Sequence, residues 1–223
     1  MQALPKRAVA ETLGTAMLLA AVAGSGIMGE RLAAGNVAVA LLANTLATGA
    51  ALVVLILTFG PISGAHINPA VTVASAWQRH TPWREVPVYV IAQTGGAILG
   101  VAVAHLMFEL PLLSVSQHAR AGSAQMFSEF VATFGLLLVI WVCVKFRPAV
   151  VPFAVAAYIT AAYWFTASTS FANPAVTIAR SLTDTFTGIR PADVPGFIVA
   201  QFLGAAAATL LFRWLTSEIG EEK

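Results

Sequence analysis

Six long apolar stretches constrain the fold of this chain more than any other feature of its sequence. A membrane-spanning helix needs about 20 predominantly apolar residues, and each stretch is close to that length. The stretches are Ala8–Met28, Val37–Phe59, Val86–Phe108, Met126–Phe146, Ala149–Phe165 and Val194–Trp214. They predict an all-α polytopic membrane protein with six transmembrane helices, which has the lipid bilayer as its partner.

The composition supports this class and excludes several others. Of the 223 residues, 58% are hydrophobic and 10% are charged, whereas roughly 25% are charged in ordinary soluble domains. The net charge of +2 is too small to indicate a nucleic-acid partner. The single cysteine, Cys143, lies in an apolar run, so neither a disulfide framework nor a thiolate metal site is expected. We expect no metal site and no cofactor.

An internal repeat is the second constraint. The pentapeptide Asn-Pro-Ala-Val-Thr occurs at Asn68–Thr72 and again at Asn173–Thr177. Around it, AETLGTAMLLA resembles SEFVATFGLLL, which matches Glu11 with Glu129, and VPVYVIAQTGGA resembles VPGFIVAQFLGA. Each half has three spanning helices, and this odd number requires the second half to enter the membrane from the opposite side. The predicted units are one domain over residues 1–223 and two inverted repeats of about 1–115 and 120–223.

Each pentapeptide begins a segment, Asn68–Gln78 or Asn173–Leu182, that is too short to cross a membrane. Asparagine is a good N-cap and proline suits the first helical position, so we predict two re-entrant half-helices. The non-helical backbone before them is tolerated at membrane depth only where it is buried or lines a watery cavity. The predicted pore residues are Asn68, Pro69, Ala70, Asn173, Pro174 and Ala175.

The ends of these half-helices have a defined electrostatic character. Two N-termini that meet in the membrane would each present about half a positive charge, and the asparagine amides would add hydrogen-bond donors. Such a site passes water or small neutral hydroxylated solutes, and it repels cations and protons. The pattern therefore predicts passive conduction of small neutral solutes.

The segment SGAHINPAVT and the repeat, which covers nearly the whole chain, resemble the major intrinsic protein (aquaporin and glycerol facilitator) family. The compact loops are similar to those of its bacterial members. The resemblance implies a right-handed aquaporin-like bundle of six helices and two half-helices, assembled as a homotetramer with one pore per subunit. It also implies that Glu11 and Glu129 brace the re-entrant loops, because buried carboxylates need partners. We assign His66 to the pore wall or to loop bracing.

One position departs from the family. In most members an arginine follows the second Asn-Pro-Ala, but this chain has Val176 there. An arginine appears only at Arg180, one helical turn later, and we expect it to be a solvated charge in the outer vestibule.

The other constriction positions follow from spacing relative to the two asparagines. The predicted selectivity filter is Thr48, Ala161, Ser170 and Val176. Tyr163 or Trp164 would replace Ala161 if the register of the fifth helix differs. The four side chains provide neither aromatic bulk nor a cation, so we expect a wide filter. The expected solutes are glycerol-like polyols, urea and neutral metalloid hydroxides such as arsenite, with water as a further one.

Lysine and arginine placement predicts the orientation, because cytoplasmic loops carry an excess of these residues. One side would hold Lys6, Arg7, Arg79, Arg84, Lys145, Arg147, Arg213 and Lys223, and the other Arg31, Arg120, Arg180 and Arg190. Both termini are therefore predicted to be cytoplasmic, in a plasma membrane that is the inner membrane of a bacterium. Trp141 is expected in the aromatic belt at the inner interface.

Three other functions remain as alternatives. A water-selective aquaporin would share the whole frame. An ion-coupled transporter would need ionisable groups on the path, for which Glu11, Glu129 and His105 are the candidates, and its flux would depend on an ion gradient. An intramembrane hydrolase could use the serine and histidine of GPISGAH, but no third group is near in sequence to orient the base. We therefore expect no enzymatic activity.

Overall fold

The computed structural model describes residues 2–217, and the regular structure within this range is entirely helical. Six of its helices are long and apolar enough to cross a membrane. The helices are α1 Leu4–Leu32, α2 Val37–Ser63, α3 Pro69–Trp77, α4 Val86–Met107, α5 Ser123–Phe146, α6 Val151–Phe165, α7 Pro174–Arg180 and α8 Val194–Leu215. The predicted all-α fold with six transmembrane helices is confirmed.

The observed bounds agree with the predicted bounds to within about one helical turn. Local signals explain this agreement. The Asn36 side chain caps α2 by accepting hydrogen bonds from the backbone N–H groups of Ala38 and Val39. The same helix ends at Gly64, whose φ of 90° lies in the left-handed region that glycine adopts at low cost. Short 3-10 turns precede α4, α6 and α8 at Trp83–Glu85, Pro148–Val150 and Pro191–Asp193.

Two pairs of long helices pack with their backbones in close contact. Gly96 and Gly100 of α4 face α1, where a Cβ on Gly100 would collide with the carbonyl oxygen of Ala16. Gly204 of α8 faces α5 in the same way, against the carbonyl oxygen of Phe130. Small residues allow this approach, as is common between transmembrane helices. The pairs α1–α4 and α5–α8 thus form a rigid frame around the two short helices.

One face of the bundle is closed by the segments before α5 and after α7. Ser116 N–H donates to the Ser181 carbonyl oxygen at 3.0 Å, and Arg190 N–H donates to that of His118 at 2.8 Å. The four arginines that the sequence analysis assigned together, Arg31, Arg120, Arg180 and Arg190, all belong to this end of the bundle. Lys223 and the two chain termini, which were assigned to the opposite side, lie outside the described residues.

Candidate functional site

A cavity of about 310 Å³ runs between the helices from Arg180 at one end to His80 at the other, and it passes both asparagines of the repeated motif. One wall is apolar and is formed by residues of four long helices, among them Leu18, Val22, Leu52, Ile56, Val155 and Ile159. The opposite wall contains the loops that precede α3 and α7, whose residues Ala65–Asn68 and Ser170–Asn173 also line it. The cavity is therefore amphipathic along its length.

The two asparagines cap their half-helices and also bind each other's loops. Asn68 Oδ1 accepts a hydrogen bond from Ala70 N–H at 2.9 Å, and Asn173 Oδ1 accepts from Ala175 N–H at 3.0 Å. The Asn68 amide donates to the Ala172 carbonyl oxygen at 2.8 Å, and the Asn173 amide donates to that of Ile67 at the same distance. Because each amide group has two N–H donors, one donor of each asparagine is left for the cavity.

The proline and alanine of each motif form the first turn of a half-helix. Pro69 and Pro174 occupy the first helical position, where the missing N–H costs nothing. Ala70 and Ala175 are fully buried against the frame, so the half-helices meet end to end in the middle of the bundle.

Glu11 of α1 holds the loop before α3. Its two carboxylate oxygens accept hydrogen bonds from the backbone N–H groups of His66 at 3.0 Å and Ile67 at 2.7 Å, from the Ser63 hydroxyl at 2.6 Å, and from the Gln93 amide at 2.8 Å. Ile67 has a φ of 48°, a left-handed conformation that costs roughly 1–2 kcal/mol for a residue with a side chain. The hydrogen bonds to Glu11 stabilise this strained backbone.

Glu129 of α5 has the equivalent position in the second half. It accepts hydrogen bonds from the backbone N–H groups of Phe171 at 2.9 Å and Ala172 at 2.8 Å, and from the Gln201 amide at 2.6 Å. Ala172 has a φ of 48°, as Ile67 has in the first half. The glutamines extend each network, since Gln201 also donates to the Thr177 hydroxyl at 2.8 Å. Gln93 and Gln201 occupy equivalent positions in the repeated segments VPVYVIAQTGGA and VPGFIVAQFLGA.

His66 lies in the wall of the cavity and at the end of the first bracing network. Its Nδ1 is 3.1 Å from the Thr72 hydroxyl oxygen, and its ring centroid is 5.3 Å from that of Tyr89. It therefore lines the cavity and also contacts α3 through Thr72 and α4 through Tyr89.

The predicted filter residues are only partly brought together. Thr48, Ser170 and Val176 line the cavity near Arg180. The placement of Ala161 is wrong, because this residue is exposed on the outward face of α6 and does not line the cavity. Tyr163 lies there instead, and its hydroxyl donates to the Thr48 hydroxyl oxygen at 3.3 Å. The expectation of a filter without aromatic bulk is corrected accordingly.

Arg180 is also placed differently from the expectation of a solvated charge. Only 2% of its surface is exposed, it lines the cavity, and its Nε donates to the carbonyl oxygen of Thr187. Its guanidinium carbon lies 3.4 Å from the ring centroid of Phe171, and that of Arg120 lies 5.0 Å from the same ring. Burial lowers the pKa of Arg120 to about 10, which leaves it charged at neutral pH.

The His80 end of the cavity was not anticipated from the sequence. Trp141, expected at the membrane interface, is 4% exposed and lines the cavity, and its Nε1–H donates to the Thr209 hydroxyl at 3.1 Å. The imidazole of His80 lies edge-on to it, with ring centroids 6.0 Å apart. Beyond these two residues a wider vestibule of about 420 Å³ includes Lys145 and Arg213.

Comparison with known proteins agrees with this geometry. The sequence profile described as major intrinsic protein matches residues 2–151 and 142–223. The chain belongs to the major intrinsic protein family. The chain is 58% identical over 212 residues to aquaglyceroporin AqpS of Rhizobium meliloti (strain 1021), covering 95% of this chain and 91% of AqpS. It is 32% identical over 253 residues to aquaporin AqpM of Methanothermobacter marburgensis, covering 98% of this chain and all of AqpM.

A solved structure gives the same fold. The X-ray structure of the aquaglyceroporin from Plasmodium falciparum matches with a TM-score of 0.69 over 97% of both chains, at 20% sequence identity. Aquaglyceroporins of the major intrinsic protein family are passive channels. The chain is therefore a multi-pass membrane channel, and neither an enzyme nor an ion-coupled transporter.

Proposed function

We propose that this channel conducts small uncharged solutes larger than water, namely glycerol-like polyols, urea and neutral metalloid hydroxides such as arsenite, and that water passes as well. The observation that carries the proposal is Val176 in the cavity wall, where most members of the family have an arginine. A valine there leaves room that a guanidinium group would fill. The two proteins named aquaglyceroporin among the relatives support the same solute class.

The amphipathic cavity supports solutes of this shape. A polyol has hydroxyl groups on one edge and C–H groups on the other, and the cavity has loop carbonyls and asparagine amides on one wall and aliphatic side chains on the other. The polar wall can therefore replace the water molecules that hydrate the hydroxyl groups of a passing polyol, while its C–H groups contact the aliphatic wall.

We assign roles to the site residues on the same basis. Asn68 and Asn173 donate to the solute at the centre of the pore, and the adjacent proline and alanine residues form the half-helix ends. Glu11 and Glu129 hold the two loops in their strained conformation. Thr48, Tyr163, Ser170 and Val176 form the constriction, with Tyr163 in place of Ala161.

The cellular setting belongs to the same proposal. The chain forms one domain over residues 1–223 with inverted repeats of about 1–115 and 120–223, which the paired bracing networks support. We place it in a plasma membrane, the inner membrane of a bacterium, with both termini cytoplasmic and the Arg180 end outside. We further propose a homotetramer with one pore per subunit.

The test is solute flux in proteoliposomes that contain the native protein, Val176→Arg or Val176→Leu. We expect the native protein to pass water, glycerol, urea and arsenous acid. We expect Val176→Arg to reduce the flux of the three larger solutes by tenfold or more while water still passes. The leucine variant is the control for side-chain size without charge or donors, and we expect a smaller reduction.

Two results would contradict the proposal. A native protein that passes water and excludes glycerol would be a water-selective aquaporin. If the arginine variant passes the larger solutes as fast as the native protein, position 176 does not form part of the constriction.

A further inference from the structure

We infer that Arg180 is a cation-excluding residue of this pore, in addition to the half-helix N-termini, and that it supplies from one helical turn further along α7 the positive charge that Val176 lacks. This inference rests on the channel and its cavity, and it holds for any neutral solute that passes. It assigns a selectivity role to a residue outside the predicted filter.

The location of Arg180 is the first argument. It is the last residue of α7 and lines the cavity together with Val176, Ser170 and Phe171. Its side chain is buried in the protein, yet its two terminal nitrogens have no hydrogen bond to any described residue and are not among the fully enclosed polar atoms. These nitrogens are therefore open to the cavity, and their N–H groups are available as donors.

The absence of an ion-pair partner is the second argument. Within residues 2–217 the ion pairs are Arg7–Glu85 and Arg190–Asp193, and neither includes Arg180. Its one hydrogen bond to a residue that the structure describes is to a neutral carbonyl, that of Thr187. A guanidinium group stays protonated in proteins, so a positive charge without an ion-pair partner faces the lumen. In a surrounding of low polarity such a charge repels a passing cation strongly.

The support of the side chain is the third argument. Phe171 offers its ring face to Arg180 at 3.4 Å, and the edge-on ring of Phe197 packs against Phe171 with centroids 5.2 Å apart. The backbone N–H of Phe171 is in turn held by Glu129. Stacking on an aromatic face is favourable for a guanidinium. The charge is thus fixed at this end of the cavity, whereas an unsupported side chain could move away from the cavity.

A purely structural role is the competing explanation. Arg180 lies at the C-terminus of α7, where a positive charge is favourable for the helix dipole, and its bond to Thr187 could simply close the loop after α7. A structural role would affect folding and the flux of all species together. A selectivity role would change the ratio of cation flux to neutral-solute flux.

The experiment compares Arg180→Met, Arg180→Lys and the matched control Arg31→Met in proteoliposomes. Arg31 lies at the same end of the bundle but donates to the Phe108 carbonyl oxygen and does not line the cavity. The readouts are proton leak under an imposed voltage, and the flux of guanidinium relative to that of urea, which is a neutral molecule of similar shape and size.

We expect Arg180→Met to raise proton leak and the guanidinium-to-urea flux ratio by tenfold or more, with neutral-solute flux retained. Arg180→Lys and Arg31→Met should keep the native ratio. The inference is overturned if Arg180→Met conducts neutral solutes and still excludes both cations. If Arg180→Met does not fold, the native protein and Arg180→Lys decide. The inference is then overturned if the native protein leaks protons. It is equally overturned if Arg180→Lys folds and conducts neutral solutes but fails to exclude protons and guanidinium.

Discussion

Replacement of Glu129 is the sharpest test of the loop-bracing network, because its hydrogen bonds can be counted. In Glu129→Ala, three donors lose their acceptor, namely the backbone N–H groups of Phe171 and Ala172 and one N–H of Gln201. A buried donor without a partner costs about 1–3 kcal/mol. The alanine variant should therefore lose about 3–9 kcal/mol of unfolding free energy, at three times that cost.

Glu129→Gln gives a smaller, separable effect. One carboxylate oxygen accepts only from Phe171, and the other accepts from Ala172 and Gln201. If the glutamine oxygen takes the position that accepts from Ala172 and Gln201, those two hydrogen bonds are kept. The glutamine amide nitrogen then faces the backbone N–H of Phe171, which is left without an acceptor. The expected loss is about 1–3 kcal/mol. The control is Glu30→Gln on the exposed end of α1, for which about 0.5 kcal/mol or less is expected.

The assay is a denaturant titration in detergent, followed by tryptophan fluorescence, together with glycerol flux in proteoliposomes. Flux should fall in the order of the stability losses, because the left-handed backbone of Ser170 and Ala172, with φ of 49° and 48°, relaxes when its bonds are lost. The reasoning is refuted if Glu129→Ala is as stable as Glu30→Gln. Equal losses in the alanine and glutamine variants would show that the charge, and not the number of hydrogen bonds, holds the loop.

Two further predictions concern the correction at α6 and the packing of α4. Ala161→Leu should leave glycerol flux unchanged, whereas Tyr163→Ala should pass bulkier polyols such as ribitol at a measurably higher rate. The reverse result would show that Ala161, and not Tyr163, belongs to the filter. Gly100→Ala should reduce the yield of folded protein and its midpoint of unfolding, since the new Cβ meets the Ala16 carbonyl oxygen. Gly95→Ala should be neutral, because no atom of the described part of the chain lies within 4 Å of a Cβ there. Equal behaviour of the two glycine variants in size-exclusion chromatography would contradict the backbone contact between α1 and α4.

The sequence predicted the helices well because their signals are local. A run of about 20 apolar residues identifies a spanning helix without knowledge of its neighbours. Asn68 and Asn173, each followed by proline, define the start of a half-helix within one turn. The contacts of Glu11 and Glu129 were also expected, because the resemblance to the family implies that they brace the re-entrant loops, and a buried carboxylate requires donors.

The residues that were misplaced depend on the packing of distant segments. Ala161 was assigned by counting back from Asn173 across the loop that follows α6, and the conformation of that loop shifts the helix register so that Tyr163 faces the cavity. The burial of Arg180 depends on Phe171 and Thr187, which come from loops on both sides of α7. Nothing in the sequence around Arg180 indicates that these loops enclose it.

The two halves of the channel share a frame but differ in the side chains that face the lumen. Ser75 and Arg180 each stand seven residues after the capping asparagine of their half, and both line the cavity. His66 and Phe171 are equivalent in the same way, two residues before the asparagine. Identical side chains at these positions would place the same charge in both halves, and a solute would meet the same barrier twice. At these equivalent positions one half has a fixed guanidinium group on an aromatic ring and the other half has a small hydroxyl. Arg180 would therefore add a cation barrier at one end of the cavity to the barrier that the half-helix N-termini form at its centre, where the asparagine amides also bind neutral solutes.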